Sequence, residues 1–251
     1  MTGDALFSTL KGKTVLVTGA GSGIGAALAR RLGQLGAQVI CSARTEARIQ
    51  AVADAITEAG GTALAVAADG TDPVQMDALA DAIEQRFDGL DLAYLNAGAN
   101  SQKGTIADSD PDDWRRGFDQ NMLPVTLGIR MCVPLMRQRG GGRIIFTGSA
   151  MAQYPAERNS SYCAGKAAAR MVARTAALEL AGDNITVNEF IPGPVRTEQA
   201  LQFYDPNDTA SPFNNPNEWV KEPEDVVDTM LFMVAFPGAG PNSQIFSLAR
   251  R

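Results

Sequence analysis

Short apolar runs alternate along this chain with longer stretches in which apolar positions recur every three or four residues. The first run, Thr14-Val15-Leu16-Val17, predicts a strand, and Ile24, Leu28, Leu32 and Leu35 then fall on one face of a helix. The alternation continues with a strand at 38–42, a helix at 46–58, a strand at 63–68, a helix at 77–87 and a strand at 92–95. Several of these strands are apolar throughout, as expected where a parallel sheet is covered on both faces. The order predicts a doubly wound α/β fold with a mostly parallel sheet.

Beyond Asp112 a long helical stretch runs to about Arg139, followed by a strand at 143–147, a helix at about 161–181 and a strand at 185–191. No shift in composition divides these elements, so residues 1–251 are expected to form a single domain. From Pro192 to Pro223 the periodicity fails, and Pro192, Pro194, Pro206, Pro212, Pro216 and Pro223 fall there. A loop of that length in a compact domain is usually functional, and residues 193–222 are expected to form a lid over the substrate. A last helix at about 224–235 and a short strand near 244–248 complete the pattern.

Composition narrows the class. With 45% hydrophobic and 20% charged residues the chain has the balance of a globular protein. Its net charge of −6 disfavours nucleic acid and anionic membranes as partners. With no histidine, Ser-His-Asp hydrolysis and His-ligated zinc are impossible, and no metal site is expected. Cys41, Cys132 and Cys163 form no C-x-x-C pair, which fits a reducing compartment. No apolar run reaches the ~20 residues that span a bilayer, and residues 1–13, with Asp4, lack a signal-peptide core. A soluble cytoplasmic protein is expected.

The segment Thr18-Gly19-Ala20-Gly21-Ser22-Gly23-Ile24-Gly25 joins the first strand to the first helix. There a pyrophosphate can lie on free helix N–H groups, and glycines permit the tight turn and the close approach of backbone to phosphate. The Lys-Ser/Thr of a nucleoside-triphosphate loop is absent, since Ala26-Ala27 follows Gly25. At the end of the second strand, where an NAD site usually carries an acid, the chain has Ala43-Arg44. A guanidinium there suits a 2′-phosphate, so NADP(H) is favoured over NAD(H); Arg48, one turn on, assists or is merely solvated.

Tyr162 and Lys166, four apart on a predicted helix, share one face. Ser149 ends a strand at the edge where α/β sheets bind ligands, and Asn121 lies within the long helix before it. With TGAGSGIG at 18–25, NAG at 96–98, Gly148-Ser149, YCAGK at 162–166 and PGPVRT at 192–197, the chain resembles the short-chain dehydrogenase/reductase family over nearly its whole length. The resemblance implies a Rossmann-like fold. It also implies Tyr162 as proton donor or acceptor, Ser149 polarising the substrate oxygen, Lys166 holding the nicotinamide ribose and Asn121 ordering a water relay. A tyrosine ordinarily titrates near ~10, so a neighbouring ammonium and the nicotinamide's positive charge are needed to favour the phenolate.

The same resemblance places Asp69 at the adenine, Asn96, Ala97 and Gly98 beside the adenosine, and Pro192, Gly193, Val195 and Thr197 over the nicotinamide. Leu95 departs from the family pattern, standing where a first Asn is common, and so does Gly70, where a larger apolar residue is usual. The tail at 243–248 lacks the family's V-D-G-G ending.

These features give an NADP(H)-dependent oxidoreductase interconverting a carbonyl and a secondary alcohol. A non-catalytic dinucleotide sensor or scaffold on the same fold, and an isomerase or epimerase with retained cofactor, are the alternatives. Phe203, Tyr204, Phe213 and Trp219 of the lid, with Phe190, Met151, Gln153 and Tyr154, either line an apolar pocket for a bulky ketone or alcohol or anchor the loop. Cys163 is expected to be a small buried filler. Ala164, Ala167, Ala168 and Ala169 admit a second helix closely, either within the subunit or in the homodimer or homotetramer that the resemblance implies.

Overall fold

A computed structural model describes residues 7–99, 104–205, 207–208, 211–236, 238 and 240–249. Asp4 and Pro206 lie outside them. The strands are β1 (Thr14–Thr18), β2 (Gln38–Ala43), β3 (Thr62–Ala67), β4 (Leu92–Leu95), β5 (Gly142–Thr147), β6 (Ile185–Ile191) and β7 (Ile245–Ser247). They form one seven-stranded sheet in the order β3-β2-β1-β4-β5-β6-β7, and every pairing is parallel. The helices are α1 (Gly23–Gln34), α2 (Glu46–Glu58), α3 (Pro73–Phe87), α4 (Pro111–Gln138), α5 (Ser160–Glu179), α6 (Glu198–Phe203) and α7 (Val227–Phe232).

This is a Rossmann-like, doubly wound single domain. One apolar layer packs α1, α2 and α7 on one face of the sheet, and the other packs α3, α4 and α5 on the opposite face. Strands β1, β4 and β6 are buried along their whole length, which explains their lack of in/out alternation. The connection from β3 crosses back over β1 to β4, so the strand order reverses there, and ligands of such sheets bind beyond the carboxyl ends of the strands at that point. Among the described residues no helix is long and apolar enough to cross a membrane.

The two departures at Leu95 and Gly70 are matched by small or compact neighbours on α4. Leu95 is buried against Gly128, where a Cβ would come within 2.7 Å of Leu95 Cδ2. A Cβ at Gly70 would lie 3.0 Å from Pro124 Cβ, so the Pro124 ring fills the space a larger side chain at 70 would need. Gly165 of α5 is similarly pressed on α4, its Cβ position 2.8 Å from the Phe118 carbonyl oxygen. Ala169 is buried while Ala167 is exposed, so close internal packing accounts for part of the small-residue stripe.

Two expectations need correction. The segment 192–223 is not patternless: it holds the two-turn helix α6 and a short 3₁₀ turn at Pro212–Asn214. The final helix is shorter than its apolar pattern suggests. A 3₁₀ turn at Pro223–Val226, begun by its proline, precedes α7, which ends at Phe232.

Candidate active site

A cleft of about 1260 Å³ opens along the carboxyl edge of the sheet. At one end lies the glycine-rich turn. Gly19 has a φ of +65°, which L side chains resist, and a Cβ at Gly25 would overlap the Gly19 carbonyl oxygen. Helix α1 starts here without a side-chain cap at Ser22 and without an acidic residue in its first turn, leaving a positive helix end open to an anion. Gly19, Ser22, Gly23 and Ile24 line the cleft, whereas Gly25 sits behind them as packing.

Asn96, Ala97 and Gly98 also line the cleft, the first two held by threonines to which the sequence reading gave no role. The Thr18 hydroxyl accepts from the Asn96 and Ala97 N–H groups at 3.0 and 3.1 Å, and the Thr147 hydroxyl donates to Asn96 Oδ1 at 2.9 Å. Both threonines end strands that point into the cleft, and that placement was the available signal. Asp69 lines the wall and is tied into a turn, its Oδ1 accepting from the Thr71 N–H and hydroxyl at 2.9 and 2.8 Å.

Arg44 lines the cleft where β2 ends, exposed and without an ion pair among the described residues. Arg48 is engaged elsewhere. Its guanidinium donates to both carboxylate oxygens of Glu198, at 2.8 and 3.0 Å, joining α2 to α6. Gln199 of α6 donates to the Gly98 carbonyl at 3.1 Å. Thr197 caps α6, accepting from Ala200 N–H at 3.1 Å, while its methyl lies over Gly23. Pro192, Gly193, Val195 and Thr197 all face the cleft.

At the far end the structure brings Ser149, Tyr162, Lys166 and Asn121 together. Ser149 follows β5, and its Oγ accepts from the Met151 N–H at 3.1 Å, so it is a turn former as well as a cleft residue. It also shares a hydrogen bond with the Tyr162 phenol. Lys166 is 4% exposed, far from a solvated helix charge, and its Nζ donates to the Thr147 carbonyl at 2.8 Å. Asn121 is fully buried; Nδ2 donates to the carbonyls of Ala99 at 2.6 Å and Gly117 at 2.9 Å, while Oδ1 accepts from no described residue. A Cβ at Gly98 would be 3.1 Å from both Asn121 Oδ1 and Lys166 Nζ, so the two polar groups converge beside Gly98.

Burial dominates the electrostatics. It pushes the Tyr162 phenol up to about 12, with the Ser149 hydrogen bond acting in the opposite direction. It pulls Lys166 down to about 8, opposed by the Glu189 carboxylate. Lys166 Nζ lies 5.8 Å from the Tyr162 ring centroid, yet its charge does not overcome burial of the phenol in the unliganded protein.

The apolar lining is smaller than expected. Met151, Phe203, Tyr204 and Phe213 face the cleft. Phe190 is buried in the core, Tyr154 is exposed, Gln153 is outside the cleft, and Trp219 packs under the Lys221 ammonium 4.6 Å from its ring centroid. Cys163 is half-buried, whereas Cys41 and Cys132 are fully buried.

An uncapped helix end at the strand crossover, with a cleft running to buried polar side chains, defines a dinucleotide-binding type of α/β protein. The family model described as short chain dehydrogenase matches residues 13–207, and the chain belongs to that family. It is similar to 3beta-hydroxysteroid dehydrogenase 1 of Eggerthella lenta, 37% identical over 88% of this chain and 86% of that one. A short-chain type dehydrogenase/reductase from Mycobacterium marinum superposes with a TM-score of 0.90 at 31% identity, covering 99% and 98% of the two chains. L-Sorbose reductase from Gluconobacter frateurii, complexed with NADPH and L-sorbose, gives 0.87 at 28% identity over 96% of each chain. A structural neighbour complexed with NADH is also known, a 7 alpha-hydroxysteroid dehydrogenase.

The depressed Lys166 value carries a stability signature. Between about pH 8 and the ordinary 10.5 the folded chain binds fewer protons than the unfolded one, so stability rises with pH across that window; below 8 the cost of burying the charge is fully present. In denaturant titrations of the unliganded protein, wild type should gain on Lys166→Met by about 3 kcal/mol from the lower to the upper limit of that window. A pH-independent difference would show that Lys166 is not held in a desolvated site.

Proposed function

We propose that this chain is an oxidoreductase that interconverts a carbonyl and a secondary alcohol with a nicotinamide dinucleotide, NADP(H) in preference to NAD(H). The observation that carries the reading is the convergence of Ser149, Tyr162, Lys166 and Asn121 in the same cleft as an uncapped, glycine-lined helix end. The residues fit such a cofactor on two counts: the turn admits backbone approach, and a buried Asn121 oxygen and a buried ammonium stand beside Gly98. The chemistry the dinucleotide supplies when bound is transfer of a hydride to or from the substrate carbon.

On this reading Gly19, Ser22, Gly23 and Ile24 hold the pyrophosphate. Asp69 and Asn96, Ala97 and Gly98 lie along the adenosine, and Pro192, Gly193, Val195 and Thr197 lie over the nicotinamide. Arg44 meets the 2′-phosphate, because a guanidinium pairs with phosphate oxygens and no acid of the adjoining strand end opposes it. Arg48, engaged by Glu198, serves chiefly to anchor the lid. The described residues of 193–222 form that lid, with α6 clasped to α2 and to Gly98. Met151, Phe203, Tyr204 and Phe213 favour a bulky, largely apolar ketone or alcohol, in keeping with a relative that is a hydroxysteroid dehydrogenase. Exposed Met171 and Leu178 on α5 support association into a homodimer or homotetramer.

In the reductive direction Tyr162 gives its proton to the substrate oxygen as Ser149 donates a hydrogen bond to it. Lys166 favours the resulting phenolate by charge, and Asn121 presents Oδ1 toward the route by which the proton is replaced. In the oxidative direction Tyr162 accepts the proton.

Tyr162→Phe should reduce NADPH-dependent turnover on a ketone panel by at least about a hundredfold while leaving dinucleotide binding intact. Comparable turnover by the variant would remove Tyr162 as the proton donor. Arg44→Ala should raise the NADPH dissociation constant by about tenfold or more and leave that of NADH nearly unchanged, as measured by fluorescence titration; an unaltered ratio would discard the 2′-phosphate assignment. Below about pH 8 Lys166 is an ammonium and Tyr162 a neutral acid, and above it the ammonium is lost first. Carbonyl reduction should therefore decline above about pH 8, a limb that Lys166→Arg, which cannot deprotonate, should not show.

A further inference from the structure

Strand β6 is buried at every position and yet carries a carboxylate, Glu189, which requires a partner. The partner is Arg170 of α5, with side-chain exposures of 3% for Glu189 and 12% for Arg170. Arg170 Nε donates to Glu189 Oε2 at 2.6 Å and Nη2 donates to Oε1 at 2.8 Å, a two-point contact. Nη2 also donates to the Ser149 carbonyl at 3.2 Å. Gly148 lies directly on the same carboxylate, where a Cβ would overlap Glu189 Oε1.

Arg170 follows Lys166 by one helical turn. Helix α5 thus sets two cations on one strand end, Lys166 on the Thr147 carbonyl and Arg170 on the Ser149 carbonyl, with Glu189 against the Gly148 between them. We infer that Arg170 and Glu189 are positioning residues for proton transfer: the pair fixes the backbone that carries Ser149 and sets the Glu189 carboxylate against the strand end that Lys166 holds. This rests on the functional reading above, in which Ser149 and Lys166 serve Tyr162.

The groups around Lys166 are few. Tyr162 faces it from its own helix, Asn121 from α4, the Thr147 carbonyl from β5 and Glu189 from β6, with Arg170 a fixed positive charge beside Glu189. Of these side chains Tyr162 stays neutral to about 12. Glu189 is therefore the negative charge that offsets the burial of Lys166.

Three variants separate positioning from mere stabilisation. Glu189→Gln keeps shape and removes charge. Arg170→Met combined with Glu189→Leu removes the pair without stranding either charge. Arg170→Lys keeps the charge but not the two-point fork. The readouts are the alkaline limb of ketone reduction and, without turnover, the pH dependence of the NADPH dissociation constant by fluorescence. In both variants lacking Glu189 the two limbs should move to lower pH, by about half a unit or more in Glu189→Gln and by less in the paired replacement, where the Arg170 charge is lost as well. In Arg170→Lys the limbs should stay while kcat falls severalfold. If Glu189→Gln, folded by circular dichroism, has wild-type limbs, the charge role is overturned; unchanged kcat in Arg170→Lys overturns the backbone role. Should Glu189→Gln fail to fold, the paired replacement decides the charge role, and should both fail, wild-type limbs together with a reduced kcat in Arg170→Lys support the pair while unchanged kcat overturns it. Tyr162→Phe and Lys166→Ala run alongside: if they turn over normally, the functional reading itself fails, whereas their inactivity with unmoved limbs in the Glu189 variants sinks only this inference.

Discussion

An ammonium can be kept out of water only where carbonyl oxygens or a carboxylate replace its hydration, and the placing of Lys166 organises the end of the cleft around that requirement. Its Nζ reaches the Thr147 carbonyl because α5 packs tightly on α4 at Gly165, where any side chain would press on the Phe118 carbonyl and on Asn121. The same approach brings Asn121 to Gly98 and leaves Gly98 no room for a side chain that would spare either polar group. Helix contact, strand end and polar cluster are thus one arrangement. Loosening any part of it would admit water to Lys166 and lower the cost of its charge.

The opposite end of the cleft rests on backbone rather than on side-chain charge. Uncapped N–H groups of α1 provide positive potential, and Asn96, pinned through Thr18 and Thr147, braces the turn that presents them. The wall beside Asp69 is remodelled by an exchange of bulk between Gly70 and Pro124. Pro124 is tolerated within α4 because its ring has a cavity to fill, although the helix gives up one internal hydrogen bond there. Helix α6 is tied to α2 by Arg48 and Glu198, an exposed pair whose two-point geometry fixes orientation more than it adds stability.

Much of this was legible in the sequence for a physical reason: the periods of strand and helix are imposed by burial, and burial shapes composition. Leu92–Leu95 begins and ends where its apolar run does, and Ile185–Ile191 and Glu46–Glu58 where their patterns do. Helix α6 was not legible, because six residues are too few to establish a period. Phe190 was misjudged because a strand buried on both faces does not announce which side chain faces which layer. The burial of Lys166 was hidden as well, since a lysine on a helix is ordinarily solvated. Glu189 was the signal that could have been read, as a carboxylate inside ITVNEFI has no place without a cation across from it.

The two perturbed groups also bear on direction. Burial stabilises the neutral form of each, so the unliganded protein favours a phenol that keeps its proton and an amine that gives its proton up readily. On the proposed reading, a site left in that condition holds the proton that carbonyl reduction requires. To accept one, Tyr162 must first become phenolate, and Lys166 alone does not bring it there. On the proposed reading the extra positive charge comes with an oxidised nicotinamide, so alcohol oxidation needs that charge in place before the phenol ionises, whereas carbonyl reduction does not. The buried carboxylate of Glu189 then acts on both directions through one group, since a Lys166 that keeps its proton steadies the phenolate whether it forms by donation or precedes acceptance.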